Sequence, residues 1–169
     1  SGLEYLDPVC SGVHLCAWRR HDHHARTGGD RRPRSSAPPE RAPARRLSAV
    51  RAIIAHDRAA GIGGLSLAEV SHPHAAENDV IVRVHAAGFT PGELDWPGTW
   101  ADRAGRDRTP TIPGHELSGV VAELGYGTTG LTVGQRVFGV TDWTRNGTLA
   151  EYVAVEARNL APLSDDIDH

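Results

Sequence analysis

What constrains this chain most is a rhythm. From Val50 onward, short runs rich in valine and isoleucine are interrupted by Gly, Pro or Asn-Gly at steps of roughly ten residues, and no stretch between them carries a helical period. The runs are Val50–His56, Leu65–Val70 behind a turn at Gly61, Gly63 and Gly64, Val80–Ala86, Leu117–Leu124, Gln135–Thr141, Thr148–Val155 and a short one near Leu160. In the third, Val80, Val82 and Val84 alternate with Ile81, Arg83 and His85, the period of a strand. Asn146-Gly147 predicts a type I′ hairpin between the last two long runs, because both residues tolerate positive φ. With Thr148 they also spell a glycosylation sequon, but without an export signal the turn reading is preferred. Such a series implies an all-β barrel or sandwich. Residues 90–109 stand outside it: two prolines, three glycines, Trp96, Trp100 and the basic trio Arg103, Arg106 and Arg108 predict a long loop with at most one helical turn. Loops of that length in a compact domain are more often functional than idle.

The front of the chain has a different character. Residues 1–50 hold nine Arg against five acids, whereas residues 51–169 hold nine Arg against sixteen, so the formal charge of −3 hides a split of +4 and −7. The slight acidity of the whole leaves no global attraction to nucleic acid or anionic lipid. Arg19–Leu47, rich in Arg, Pro, Gly and Ser, has neither periodicity and is expected to be a disordered basic leader, solvated rather than bound to a partner. Cys10, Cys16, His21, His23 and His24 invite a zinc reading, but five residues separate the cysteines and no second pair follows at finger spacing. With only those two cysteines, and with Arg19 and Arg20 after the short apolar stretch Val9–Trp18 rather than before it, a reducing, cytoplasmic setting is expected. No apolar run is long enough for a spanning helix.

Two motifs bear on chemistry. Gly125, Gly127 and Gly130 form a literal G-x-G-x-x-G after a strand, yet a phosphate loop must open a helix, and the β-branched residues from Thr128 to Val133 followed by Gly134 do not. A turn between strands is expected there. Pro113-Gly114-His115-Glu116 places an imidazole beside a carboxylate at a strand edge. Neighbours on a strand face opposite ways, so one of the two, not both, is expected in a cleft, with a hydrogen-bonded structural pair as the plainer alternative.

Five pieces taken in order carry a resemblance: Val50-Arg51-Ala52-Ile53, Ala86-Ala87-Gly88, Pro113-Gly114-His115-Glu116-Leu117-Ser118-Gly119-Val120-Val121, Val133-Gly134-Gln135-Arg136-Val137 and Gly147-Thr148-Leu149-Ala150-Glu151-Tyr152-Val153. Residues 50–169 are similar to the N-terminal, GroES-like domain of the medium-chain dehydrogenase/reductase family, closest to its zinc-independent, NADPH-dependent quinone oxidoreductases. The resemblance implies a mainly β fold, a partly open β-barrel with short helical turns, whose loops form one wall of a cleft. A nucleotide-binding Rossmann domain, missing from this chain, would form the other wall and bind most of the NADPH. It further implies hydride transfer to a quinone or an α,β-unsaturated carbonyl, no specific nucleic acid or membrane partner, and a homodimeric full-length enzyme.

Zinc-dependent members follow Ala-Ala-Gly with a cysteine ligand and a Thr or Ser relay two positions on, where this chain has Thr90 and Gly92. The cysteine-rich structural lobe is replaced by the short Asp142–Gly147 connection. Neither catalytic nor structural zinc is therefore expected. By resemblance, Thr90 and Pro91 border the nicotinamide, and Trp96, Trp100 and Trp143 cover a flat substrate, or else they pack on the barrel mouth. The catalytic residues stay unassigned, with His115 and Glu116 as cleft candidates. Val50 stands where relatives begin, so residues 1–49 are expected to be translated upstream sequence, and the chain alone is expected to be inactive. The competing readings are a non-enzymatic binding or assembly module with a basic tail and a fragment of a zinc-dependent alcohol dehydrogenase.

Overall fold

The computed structural model describes residues 16–19 and 49–169. Their eight strands are β1 (Cys16–Arg19), β2 (Ala49–Ala55), β3 (Leu65–Ser71), β4 (Asp79–Phe89), β5 (Glu116–Leu124), β6 (Arg136–Val140), β7 (Tyr152–Glu156) and β8 (Leu160–Pro162). All pair antiparallel.

β4 organises the molecule. Along one side it pairs with β5; along the other, its first half pairs with β7 and its second half, Ala86–Phe89, with β1. β6 and β8 continue the sheet beyond β5. Register shifts between Ile81 and Val82 and between Val84 and Ala86 bend β4, because extra residues on one strand increase its local twist. The β2–β3 ribbon closes part of the gap by bridges from Ala52 to Ala150 and from Ala55 to Thr111, leaving a curled, incompletely closed barrel. Its centre holds Val80, Val82, Val84, Leu117, Val121, Val137, Val153 and Val155. Full burial of such side chains contributes roughly 1.5–3 kcal/mol each, a sum that the ordering of the chain largely offsets. Ile81 is also fully buried, so the start of β4 is apolar on both faces despite its alternation.

Two expectations need correction. The sequence reading places no strand ahead of Val50, but β1 lies against β4; the remainder of the leader, including Cys10, His21, His23 and His24, falls outside the described residues. Nor do Asn146 and Gly147 turn a hairpin. β6 pairs with β5 and β8, and β7 pairs with β4, so the strands on either side of this turn never meet. The N–H groups of Gly147, Thr148 and Leu149 instead donate to the carbonyls of Ile112, Gly114 and Pro113. Gly147 is demanded by crowding rather than by φ: a Cβ there would sit 2.1 Å from the Gly114 oxygen and 2.5 Å from that of Pro113. The expected strand from Thr148 accordingly shortens to Tyr152–Glu156, because Leu149–Glu151 is engaged by β2 on one side and by Val84 on the other.

The Gly125–Gly130 segment is a turn, as its composition predicts. Gly127 and Gly130 take φ of +79° and +80°, and the Thr128 hydroxyl donates to the Asp79 carbonyl at 2.8 Å. The Asp79 carboxylate, 1% exposed, is held by both terminal nitrogens of Arg145 at 3.0 and 2.6 Å and by the Ala76 N–H at 3.2 Å. Burial pushes this carboxyl up, but the hydrogen bonds and charge of Arg145 outweigh it and hold it below the ordinary range. The Asp142–Gly147 connection is thereby fastened to the start of β4.

Candidate functional site

At the end of β4 the chain leaves the sheet through Thr90 and enters a 3-10 turn, Pro91–Asp95, followed by the helical turn Pro97–Trp100. Thr90-Pro91-Gly92-Glu93 reads as a capping box, and the structure uses it as one. Glu93 Oε1 accepts from the Thr90 N–H at 2.9 Å, the glutamate's half of the box, while the Glu93 backbone N–H donates to the Thr90 carbonyl at 2.8 Å and closes the 3-10 turn. The other carboxylate oxygen of Glu93 accepts from the Gly114 N–H at 3.2 Å, tying this turn to the segment that carries His115. Gly114 can approach because it lacks a Cβ and adopts a φ of +89°.

His115 and Glu93 are the buried polar centre. Their side chains are 9% and 4% exposed, with His115 Nε2 3.7 Å from Glu93 Oε2. His115 Nδ1 lies 3.3 Å from the Thr141 hydroxyl, whereas buried Nε2 makes no hydrogen bond. Burial lowers the imidazole's proton affinity, and the nearby Arg108 charge lowers it further against a weaker opposing pull from Asp142. Burial likewise raises the Glu93 carboxyl, against the two backbone N–H groups it accepts from, with Glu116 adding repulsion. Both shifts favour the uncharged forms. Glu116, the first residue of β5, is exposed, while His115, just ahead of the strand, is buried.

Trp96 stacks on His115 at 5.6 Å between ring centres and 13° between planes, and meets Trp143 edge-on at 6.1 Å and 76°. Trp96, Pro97, Gly98 and Trp143 line a cavity of about 290 Å³. Trp96 is 42% and Trp143 60% exposed. Trp100 turns the other way. Its indole N–H donates to the Leu94 carbonyl at 2.7 Å, and its ring packs against a cluster of Ala55, Phe89 and Leu94. Of the three tryptophans expected to cover a substrate, the structure brings two together. Thr90 is exposed and Pro91 half-buried beside Gly92, where a built Cβ meets nothing within 4 Å.

Sequence reasoning missed Glu93 and Arg108. Glu93 carried a legible signal, the Thr-x-x-Glu capping pattern, whereas Arg108 was only one of three loop arginines. Among the described residues no three His, Cys, Asp or Glu side chains converge, and the one imidazole–carboxylate pair uses both carboxylate oxygens on backbone N–H groups.

Comparison with known proteins agrees with this architecture. Residues 76–165 match the alcohol dehydrogenase GroES-like domain. The chain is 30% identical over 132 residues to an L-threonine 3-dehydrogenase of Bacillus velezensis, covering 62% of this chain and 37% of that protein. Its fold matches the quinone oxidoreductase of Coxiella burnetii with a TM-score of 0.61 at 20% identity, over 71% of this chain and 38% of the other. A cobalt- and zinc-bound thermostable alcohol dehydrogenase from Pyrobaculum aerophilum matches with a TM-score of 0.57 at 25% identity, over 68% of this chain and 41% of the other. The chain thus spans about two-fifths of the length of these proteins. Curled antiparallel sheet, Gly-His-Glu strand edge and family match together place the chain in the alcohol dehydrogenase GroES-like domain family, part of the medium-chain dehydrogenases/reductases.

Proposed function

We propose that this domain is the substrate-side half of an NADPH-dependent, zinc-independent oxidoreductase that reduces a quinone or an α,β-unsaturated carbonyl. The observation that carries the reading is the open aromatic slot of Trp96 and Trp143 laid over a neutral, buried His115. NADPH, which a nucleotide-binding domain would mainly hold, would supply the hydride when bound. The chain's own part is position and shielding. The two indoles present an edge and a face to a planar ring, a geometry aromatic pairs favour. Exposed Thr90 and Pro91, with Gly92 clear beside them, offer a rim on which a nicotinamide can lie. His115, rather than outward-facing Glu116, is read as the support behind the slot, since its ring stacks on Trp96 with Nε2 buried. A cytoplasmic setting belongs to the same proposal, in keeping with a chain whose only cysteines are Cys10 and Cys16; among the described residues no helix is long and apolar enough to cross a membrane.

The test is binding of 1,4-naphthoquinone followed by saturation-transfer NMR. Ring-proton signals should appear with the wild-type chain and vanish in Trp143→Ala, and the chain alone should oxidise no NADPH. No saturation transfer to the wild type at millimolar quinone would end the proposal. A second reading, zinc-dependent alcohol oxidation, is favoured by the match to the cobalt- and zinc-bound alcohol dehydrogenase of Pyrobaculum aerophilum. Metal analysis separates the two, since one equivalent of zinc in the purified chain would select the second.

A further inference from the structure

The two walls of the aromatic slot come from distant parts of the chain, residues 96–100 and 142–147, and among the described residues no backbone hydrogen bond joins them. One side chain does. Arg108 NH1 lies 2.9 Å from the Gly98 carbonyl and 3.4 Å from those of Thr99 and Trp143, and its NH2 lies 3.2 Å from Asn146 Oδ1. The first two acceptors belong to the wall carrying Trp96, the last two to the wall carrying Trp143.

The loop is built to deliver it. Asp102 accepts from the N–H groups of Ala104 and Arg106, the Asp102 N–H donates to the Arg106 carbonyl, and Ala101 bridges to Asp107. The Arg108 N–H then returns to the Trp100 carbonyl at 3.0 Å. Unlike Arg103, which meets Asp142 and Glu156, or Arg106, which meets Asp102, Arg108 makes no ion pair within 4 Å among the described residues. The guanidinium's hydrogen bonds all go to neutral oxygens, while the charges of Asp102 and Asp142 offset part of what its burial costs. Its planar fork suits the task because donors diverge from one rigid group, which a lysine ammonium on a flexible stem cannot reproduce. The slot is tight where it is held: a Cβ on Gly98 would come within 2.9 Å of Trp143 Cδ1.

From this geometry we infer that Arg108 is a positioning residue, a clamp that fixes Trp96 and Trp143 against each other and so shapes the apolar face on which a planar substrate lies. The substrate rests on the function proposed above; the clamp does not, and the experiment reads them separately. The Trp96–Trp143 contact is followed without ligand through its exciton band in circular dichroism, identified by its loss in Trp143→Phe. Affinity for 1,4-naphthoquinone is measured alongside, and an amide NMR spectrum checks the fold. Arg108→Gln and Arg108→Lys should both lose the exciton band and bind naphthoquinone about tenfold more weakly, since small misplacement of positioning groups has effects of that order or larger. An unchanged band and affinity in Arg108→Gln overturn the clamp, as does full recovery in Arg108→Lys, which would show that charge alone suffices. Should Arg108→Gln fail to fold, Asn146→Ala removes one anchor and should still weaken the band; an unaltered band there also overturns the inference. Loss of the band in a protein whose wild type binds no quinone supports the clamp and sinks the proposed substrate.

Discussion

Replacing Arg145 by Met keeps most of its stem and removes its charge and donors, leaving the Asp79 carboxylate in the interior with only the Ala76 N–H. Breaking one side of a buried ion pair costs about 3–5 kcal/mol. The Arg145 side chain is 31% exposed, so water can reach part of the vacated space, and the expected loss falls to about 2–3 kcal/mol. In a protein of this size that lowers the melting temperature by roughly 5–10 °C. Urea unfolding at constant m is the assay. Its pH dependence identifies the cause. In the wild type Asp79 has a folded pKa below its unfolded value, so its contribution is complete above about pH 4 and is lost as pH falls through the folded pKa. In Arg145→Met burial is no longer outweighed, the carboxyl takes up its proton earlier, and the deficit relative to wild type should shrink on acidification. Asp79→Asn combined with Arg145→Met should recover part of the loss, because no unpaired charge then remains. A deficit under about 0.5 kcal/mol near neutral pH, or one that does not change with pH, would refute the reasoning.

Glu93→Ala strands the N–H groups of Thr90 and Gly114 and should cost about 2–4 kcal/mol in chemical denaturation, while Glu93→Gln, keeping one acceptor, should cost about half of that. His115 has a folded pKa below its unfolded value, so the wild type should lose stability as pH drops below about 6.5; His115→Gln should flatten that slope between about pH 7.5 and 5, and an unchanged slope assigns it elsewhere. Gly147→Ala drives a methyl group into the backbone oxygens of Pro113 and Gly114 and should cost at least about 2 kcal/mol; a neutral effect on the melting temperature would show that this crossing can relax.

Strand positions were legible because they rest on local physics. Val80, Val82 and Val84 alternate in the chain before they face the barrel interior, and Gly127 and Gly130 announce a turn through the conformations that only glycine takes freely. Which strands pair is another matter. Asn146-Gly147 carries the strongest short-range hairpin signal in the chain, yet the carbonyls of Ile112, Pro113 and Gly114, more than thirty residues away, take the hydrogen bonds that a hairpin would have used. β1 is equally invisible beforehand, since four residues add to an edge whose register is set by backbone groups that every residue carries. The same division runs through the site. Sequence alone determined that an imidazole and several tryptophans lie near strand ends; tertiary structure decided that Glu93 joins His115, that Trp96 and Trp143 meet while Trp100 turns inward, and that Arg108 spans the walls. The reason is range: backbone conformation and alternation act between neighbours in the chain, whereas a slot built from segments over thirty residues apart exists only once the barrel has brought them together.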